Sequence, residues 1–227
     1  MKMKAENTTR IQFEAGALLL ASCESWLDED PQYTINTKTQ FSTVENAKQA
    51  LMGCYGYMSA DNAYGQAWQE VTFGYCGFGW SQTNGSSTDL LVSMDGGIDE
   101  TINTMAWRGM YKVIGETNAF IANIADSPLE SADKLPMEAA ARFLRALAYY
   151  NLAVTYGDVP LKTTPSAHDG VAVPRSPKNE VFELVRTDWE FAYENLPEKD
   201  DDGFATKWAA KAYLGKLYPR CSRSCVP

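Results

Sequence analysis

Apolar positions recur with a helical period in five stretches of this chain, most clearly over residues 136–160, PMEAAARFLRALAYYNLAVTYGDVP. Phe143, Leu147, Tyr150 and Val154 fall at i, i+4, i+7 and i+11, the spacing of one helical stripe. A second line, Glu138, Arg142, Arg145 and Tyr149, carries polar groups, with Glu138 and Arg142 one turn apart and able to pair. Ala139, Ala140, Ala141, Ala146, Ala148 and Ala153 favour helix and leave little bulk, so a second helix can approach closely. Gly157 can adopt a left-handed conformation and Pro160 blocks further turns, so the helix is expected to stop near Tyr156. Arg142 and Arg145 could face an anionic ligand, but pairing with Glu138 and with neighbouring helices fits the pattern better.

The other four stretches extend this picture. Ser42, with Glu45 three residues on, reads as a capping box. It opens a stripe of Val44, Ala47, Leu51, Tyr55 and Met58, with Cys54 beside it as a small buried apolar residue. Residues 102–125 present Met105, Tyr111, Ile114, Phe120, Ile121 and Ile124, with Asn118 and Asn123 as solvent-facing or cap-type groups. A polar link, 126–135, separates this helix from the central one. After a loop over 161–175, Ser176 as N-cap, Pro177 at the first helical position and Glu180 in the first turn start another helix. Its stripe is Val181, Val185, Trp189, Ala192 and Leu196, and Pro197 ends it. The last helix begins at Thr206 and carries Ala210, Tyr213, Leu214 and Leu217 on one face. The turn before it, EKDDDGF, is charged and solvated, and Asp200-Asp201-Asp202 lacks the oxygen spacing of a calcium loop.

These elements predict an all-α fold of irregular tetratricopeptide-like helical repeats. The loops are too long for a strict period of about 34 residues. Helix pairs of this kind cannot bury their faces alone and need neighbours. One long insertion interrupts them. Residues 61–100 are rich in Gly, Ser, Asn and Thr, yet hold Tyr64, Trp68, Phe73, Tyr75, Phe78 and Trp80, then Asn84, Asp89 and Asp95. A loop of that length is functional or disordered, and its aromatics argue against disorder. Sugars stack their C–H faces on aromatic rings while amides and carboxylates bond the hydroxyls. Tyr75, Trp80, Asn84 and Asp89 are therefore the candidate glycan-binding residues. The competing reading is that these rings simply close the loop onto the helices.

Composition narrows the classes. With 45% apolar and 12% aromatic residues among 227, the chain can bury a sizeable core. A net charge of −9 argues against a nucleic-acid partner, which requires a basic surface. No run of about 18 apolar residues is present to span a membrane as a helix. The cysteines Cys23, Cys54, Cys76, Cys221 and Cys225 show no metal-ligand spacing, and His168 is the single histidine, which removes most histidine-based catalysis. Four cysteines remain if Cys23 is lipidated, a number that permits disulfides without implying them. No nucleophile elbow, zinc-protease, P-loop or dinucleotide motif occurs. Acidic residues are plentiful, but none forms the paired constellation of a glycosidase. No catalytic residue, metal or cofactor is expected.

The amino terminus has its own pattern. Lys2, Lys4 and Arg10 precede a short apolar segment, Ala15 to Ser22, and Leu20-Ala21-Ser22-Cys23 reads as a lipobox. Acylation of Cys23 would tether the protein to a membrane by lipid alone. Glu14 interrupts the apolar run, and an ordinary coil containing one cysteine is the alternative. The expected organisation is a lipoprotein signal over 1–23, an extended acidic tether over 24–41, a helical domain over 42–218 and an atypical tail over 219–227.

The run Arg142-Phe143-Leu144-Arg145-Ala146, with Tyr150, Leu152 and Tyr156-Gly157-Asp158-Val159-Pro160-Leu161, resembles the signature helix of the SusD/RagB family. Ala141 departs from that pattern, in which an acid often precedes a small residue; here Glu138 sits earlier. Further matches occur in order: Cys23 followed by Trp26-Leu27-Asp28 and Pro31, then Val173-Pro174-Arg175-Ser176-Pro177, then Asn195-Leu196-Pro197. The resemblance implies a glycan-binding lipoprotein of the outer-membrane surface. Such a protein captures oligosaccharide without catalysis and passes it to a TonB-dependent, SusC-like transporter. The alternative is a helical-repeat scaffold for protein–protein contacts. The pattern lapses after Leu217 into YPRCSRSCVP, so the resemblance covers only the N-terminal part of longer members and suggests a truncation or frame change.

Overall fold

Residues 37–76, 92–94, 101–165 and 173–220 are described by the computed structural model, and all fall within one compact unit. Seven α-helices are present among them: α1 (Thr37–Gln40), α2 (Val44–Ser59), α3 (Ala67–Gly74), α4 (Thr101–Ala125), α5 (Ser131–Tyr156), α6 (Lys178–Asn195) and α7 (Lys207–Leu217). A π-helical turn, Asp61–Gly65, joins α2 to α3, and a 3-10 turn, Tyr218–Arg220, follows α7. Two-residue strands, β1 (Val159–Pro160) and β2 (Arg175–Ser176), pair antiparallel, with Val159 opposite Ser176. The expected all-α, tetratricopeptide-like architecture is what the chain adopts.

α5 is the centre. It packs against α4 on one side and α6 on the other, and α6 in turn packs on α7. Its alanines behave as the composition implies: Ala139, Ala140, Ala141, Ala146, Ala148 and Ala153 are all buried, so helices pack around α5 on nearly every side. The stripe Phe143, Leu147 and Tyr150 is buried, and Val154 is packed against the core at its margin. Between α5, α6 and α7 the core is aromatic, with Trp189 lying 5.4 Å from Tyr150 and 5.1 Å from Tyr213 between ring centroids.

The helix ends differ from expectation in three places. α5 begins at Ser131 rather than at Pro136, because the stretch 126–135 is only partly a link. The amides of Asp133 and Lys134 both return to the Glu130 carbonyl at 3.0 Å. The Lys134 ammonium donates to the carbonyls of Ala125 and Ser127, closing the end of α4. α2 is capped by Thr43, whose hydroxyl accepts from the Asn46 amide at 3.2 Å, while Ser42 turns back to the Thr39 carbonyl. Ser176 belongs to β2 and does not cap α6. The cap comes from Asp158, whose carboxylate accepts from the Lys178 amide at 2.8 Å. The short β pairing explains this, since it places the Tyr156-Gly157-Asp158 corner beside the start of α6.

α5 stops at Tyr156 as expected, and Gly157 follows at φ +76°, a conformation that suits glycine. The acidic turn before α7 is exposed yet ordered. The Asp200 carboxylate accepts from the amides of Asp202 (2.9 Å) and Phe204 (3.0 Å), and the Tyr55 hydroxyl accepts from Ala205 at 2.8 Å. Part of the 61–100 insertion is not loop at all: Asp61–Gly65 and Ala67–Gly74 are helical, and Ala63, Ala67, Trp68 and Val71 enter the core. For Tyr64 and Trp68, closure onto the helices is the role the structure shows.

Candidate functional site

α3 ends at Gly74, and Tyr75 and Cys76 follow it as the last described residues of this stretch. Trp68 and Val71 anchor α3 inward, so Phe73 and Tyr75 are directed outward, 60% and 40% exposed. Tyr75 is the one proposed glycan-binding residue among the described residues. Trp80, Asn84, Asp89 and the proposed lipidation site Cys23 lie outside them.

Around Tyr75 the structure assembles an aromatic row that the sequence reading did not single out. Asn103 donates through its side-chain amide to the Tyr75 hydroxyl at 3.1 Å, and its backbone carbonyl accepts from the Tyr156 hydroxyl at 3.1 Å. The Trp107 ring stands edge-to-face with Tyr156, centroids 5.0 Å apart at 86°, and lies tilted against Tyr111 at 4.9 Å. Tyr111 donates to the Pro160 carbonyl at 2.7 Å, fixing the far end to β1. Trp107, Tyr111 and Tyr156 are half-buried, so the row keeps partial access to solvent. Asn103, Trp107 and Tyr111 are four residues apart along one line of α4, a spacing that was readable in the sequence. Tyr156 joins them only through packing.

Burial raises the Tyr156 phenol to about 12 and pushes that of Tyr111 further up, so both stay neutral at physiological pH. Their hydroxyls are spent on protein carbonyls. What the row offers a ligand is ring face and edge, the surface on which the apolar face of a sugar can lie. A shallow depression of about 380 Å³ on α3 itself, lined by Gln69, Glu70, Thr72 and Phe73, adds polar groups near the same corner.

The charged groups of α5 do something else. Asp188, fully buried on α6, accepts two hydrogen bonds from the Arg145 guanidinium, each 2.8 Å. Arg145 also donates to the Asn118 side-chain carbonyl at 2.9 Å, and the Asn118 amide donates to the carbonyls of Lys162 (3.0 Å) and Thr164 (3.2 Å). Glu138 pairs with Arg142 at 2.6 Å as the spacing implied. The two arginines thus serve internal pairing. Asn118, expected at solvent or a cap, is buried because the loop after β1 folds over it. Tyr149 secures the same loop, donating to the Lys162 carbonyl at 2.8 Å and accepting from its amide at 2.6 Å. Cys54 is buried as expected, its thiol raised to about 12 by desolvation, and Cys76 is exposed; neither is in a disulfide.

Comparison with known proteins places this geometry in a family. Residues 25–218 match the model of a SusD-like family described as starch-binding and associating with outer membrane. SusD-like protein P25 of Formosa agariphila is 25% identical over 211 residues, covering 87% of this chain and 40% of the relative. A solved structure with xylogluco-oligosaccharide superposes with a TM-score of 0.68 at 26% identity, over 76% of this chain and 34% of that one. A laminarin-binding SusD-like protein superposes with a TM-score of 0.67 at 25% identity, over 78% of this chain and 40% of that one. The chain therefore spans well under half the length of these relatives. Its helical stack, its corner after α5 and its match over most of its length agree: the chain belongs to the SusD-like family.

Proposed function

We propose that this protein binds oligosaccharide at a cell surface and transforms nothing. Its ligand lies on the aromatic row of Tyr75, Trp107, Tyr111 and Tyr156, and Trp80, Asn84 and Asp89 remain candidate contacts by their chemistry alone. The observation that carries this reading is the row itself: four rings, partly open and tied together through Asn103 and Pro160, beside the end of α3. Rigid rings cost little entropy on binding, which suits a capture protein that must release its cargo intact. The xylogluco-oligosaccharide of one similar structure, and the laminarin that another similar protein is described as binding, supply the first probes.

In the same reading, Cys23 carries the lipid that holds the protein to the outer membrane, and a SusC-like, TonB-dependent transporter receives the glycan. Electrophoresis through gels containing xyloglucan or laminarin tests binding. The chain is expected to be retarded, and Trp107→Ala to restore mobility while keeping native helicity by circular dichroism. Failure of every glycan to retard it overturns the reading. Recovery of a barrel transporter from solubilised outer membranes supports the hand-over. Recovery of only a soluble partner, with no glycan retention, supports the helical scaffold instead. Mass spectrometry of Cys23 decides the anchor: a free thiol with residues 1–22 retained excludes it.

A further inference from the structure

A second aromatic surface, away from the row just described, differs from the rest of the molecule in charge. The chain carries a net charge of −9, yet residues 207–220 contain Lys207, Lys211, Lys216 and Arg220 and no acidic residue. On this segment Trp208 is 50% exposed. The Lys207 and Lys211 ammonium groups stand 4.9 and 5.7 Å from its ring centroid, and Lys211 stands 5.5 Å from the ring of Tyr193 on α6. Lys207 is held by Glu198. Lys211 has no ion-pair partner among the described residues and sits between the exposed ring of Trp208 and the half-buried ring of Tyr193.

We propose that this surface is a contact for an anionic glycan, one bearing carboxylate or sulfate groups. The inference rests on the carbohydrate-binding reading above and narrows its ligand class. A sugar ring laid on the exposed indole places substituents within reach of Lys211, whose ammonium already lies over that ring and can turn to an anion without breaking an ion pair among the described residues. The net charge of −9 as a whole disfavours such a polymer. The basic segment 207–220 therefore attracts the chain and favours where it lands, and the attraction weakens with salt. A neutral glycan gains the stacking but not the charge, so the two classes separate at this surface.

The test uses calorimetry of the full chain with polygalacturonate and chondroitin sulfate as anionic probes, and with laminarin and xyloglucan as neutral ones. Trp208→Ala is expected to weaken anionic binding roughly tenfold, the scale of one lost aromatic contact. Lys211→Glu is expected to weaken it at least as much, and added salt to reduce it in the unaltered chain. Lys211→Glu does not weaken neutral binding, and because both side chains are at the helix surface the far-ultraviolet spectrum of each variant stays native. Anionic binding that survives both substitutions overturns the proposal, as does binding of the neutral probes alone. Failure of all four probes overturns the carbohydrate reading itself.

Discussion

Asp188 brings a carboxylate into the core between α5 and α6, and its charge is tolerable because Arg145 meets it with two parallel hydrogen bonds. Breaking such a pair leaves one charge stranded, a loss of roughly 3–5 kcal/mol, whereas replacing both partners by apolar groups is often close to neutral. Arg145→Leu is therefore expected to lower urea stability by about that amount. The double substitution with Asp188→Leu should recover most of the loss. A double mutant no more stable than the single would show that Asp188 has another role. Cysteine chemistry gives a second prediction at this scale. The Cys54 thiol is buried and raised to about 12, so it is neither accessible nor ionised at neutral pH. Peptide mapping after mild alkylation should find Cys76 labelled and Cys54 unlabelled until the chain is unfolded.

Among the elements, two junctions carry the arrangement of the row. Asp158 caps α6 from the corner after α5. Asp158→Ala should cost about 1 kcal/mol, the usual loss for an N-cap, while Asp158→Asn should cost less. Chemical denaturation distinguishes the two. Gly109 lies where α4 crosses the π-helical turn, and a Cβ there would meet the Asn62 carbonyl oxygen at 1.8 Å. The obstacle is backbone, not a side chain that can rotate away, so Gly109→Ala forces the helices apart. A loss of about 3 kcal/mol is expected. Because α3 leads from that turn to Tyr75, this variant should also lose glycan retention more than Asp158→Ala does.

For the whole molecule, the partly desolvated phenols set the response to alkali. Tyr55, Tyr64 and Tyr156 are each raised to about 12 from an ordinary 10.0, chiefly by desolvation, and Cys54 to about 12 from 9.0. The folded state holds these protons more tightly than the unfolded chain. Their contribution to stability is thus complete below pH 9.0 and declines as pH climbs through about 12. Urea midpoints should stay level on this account up to pH 9.0 and then fall, with tyrosinate absorbance rising in step with unfolding. A flat midpoint up to pH 12 would contradict burial of these groups.

Much of this was written in the sequence, because helical periodicity is local. Phe143, Leu147 and Tyr150 mark the inner face of α5, Gly157 and Pro160 its end, and Glu138 and Arg142 their own ion pair, all within a few turns of one another. The family pattern lies on the same residues and was equally legible. What required the tertiary structure involves partners far apart along the chain. Asp158 reaches the start of α6 only after β1 meets β2, so Ser176 looked like the cap. Asn118 seemed a surface amide until the 162–164 loop closed over it. Tyr156 becomes part of the aromatic row only because α5 lies against α4. A stripe is dictated by spacing along one helix, whereas a site is assembled by what several helices bring to the same place.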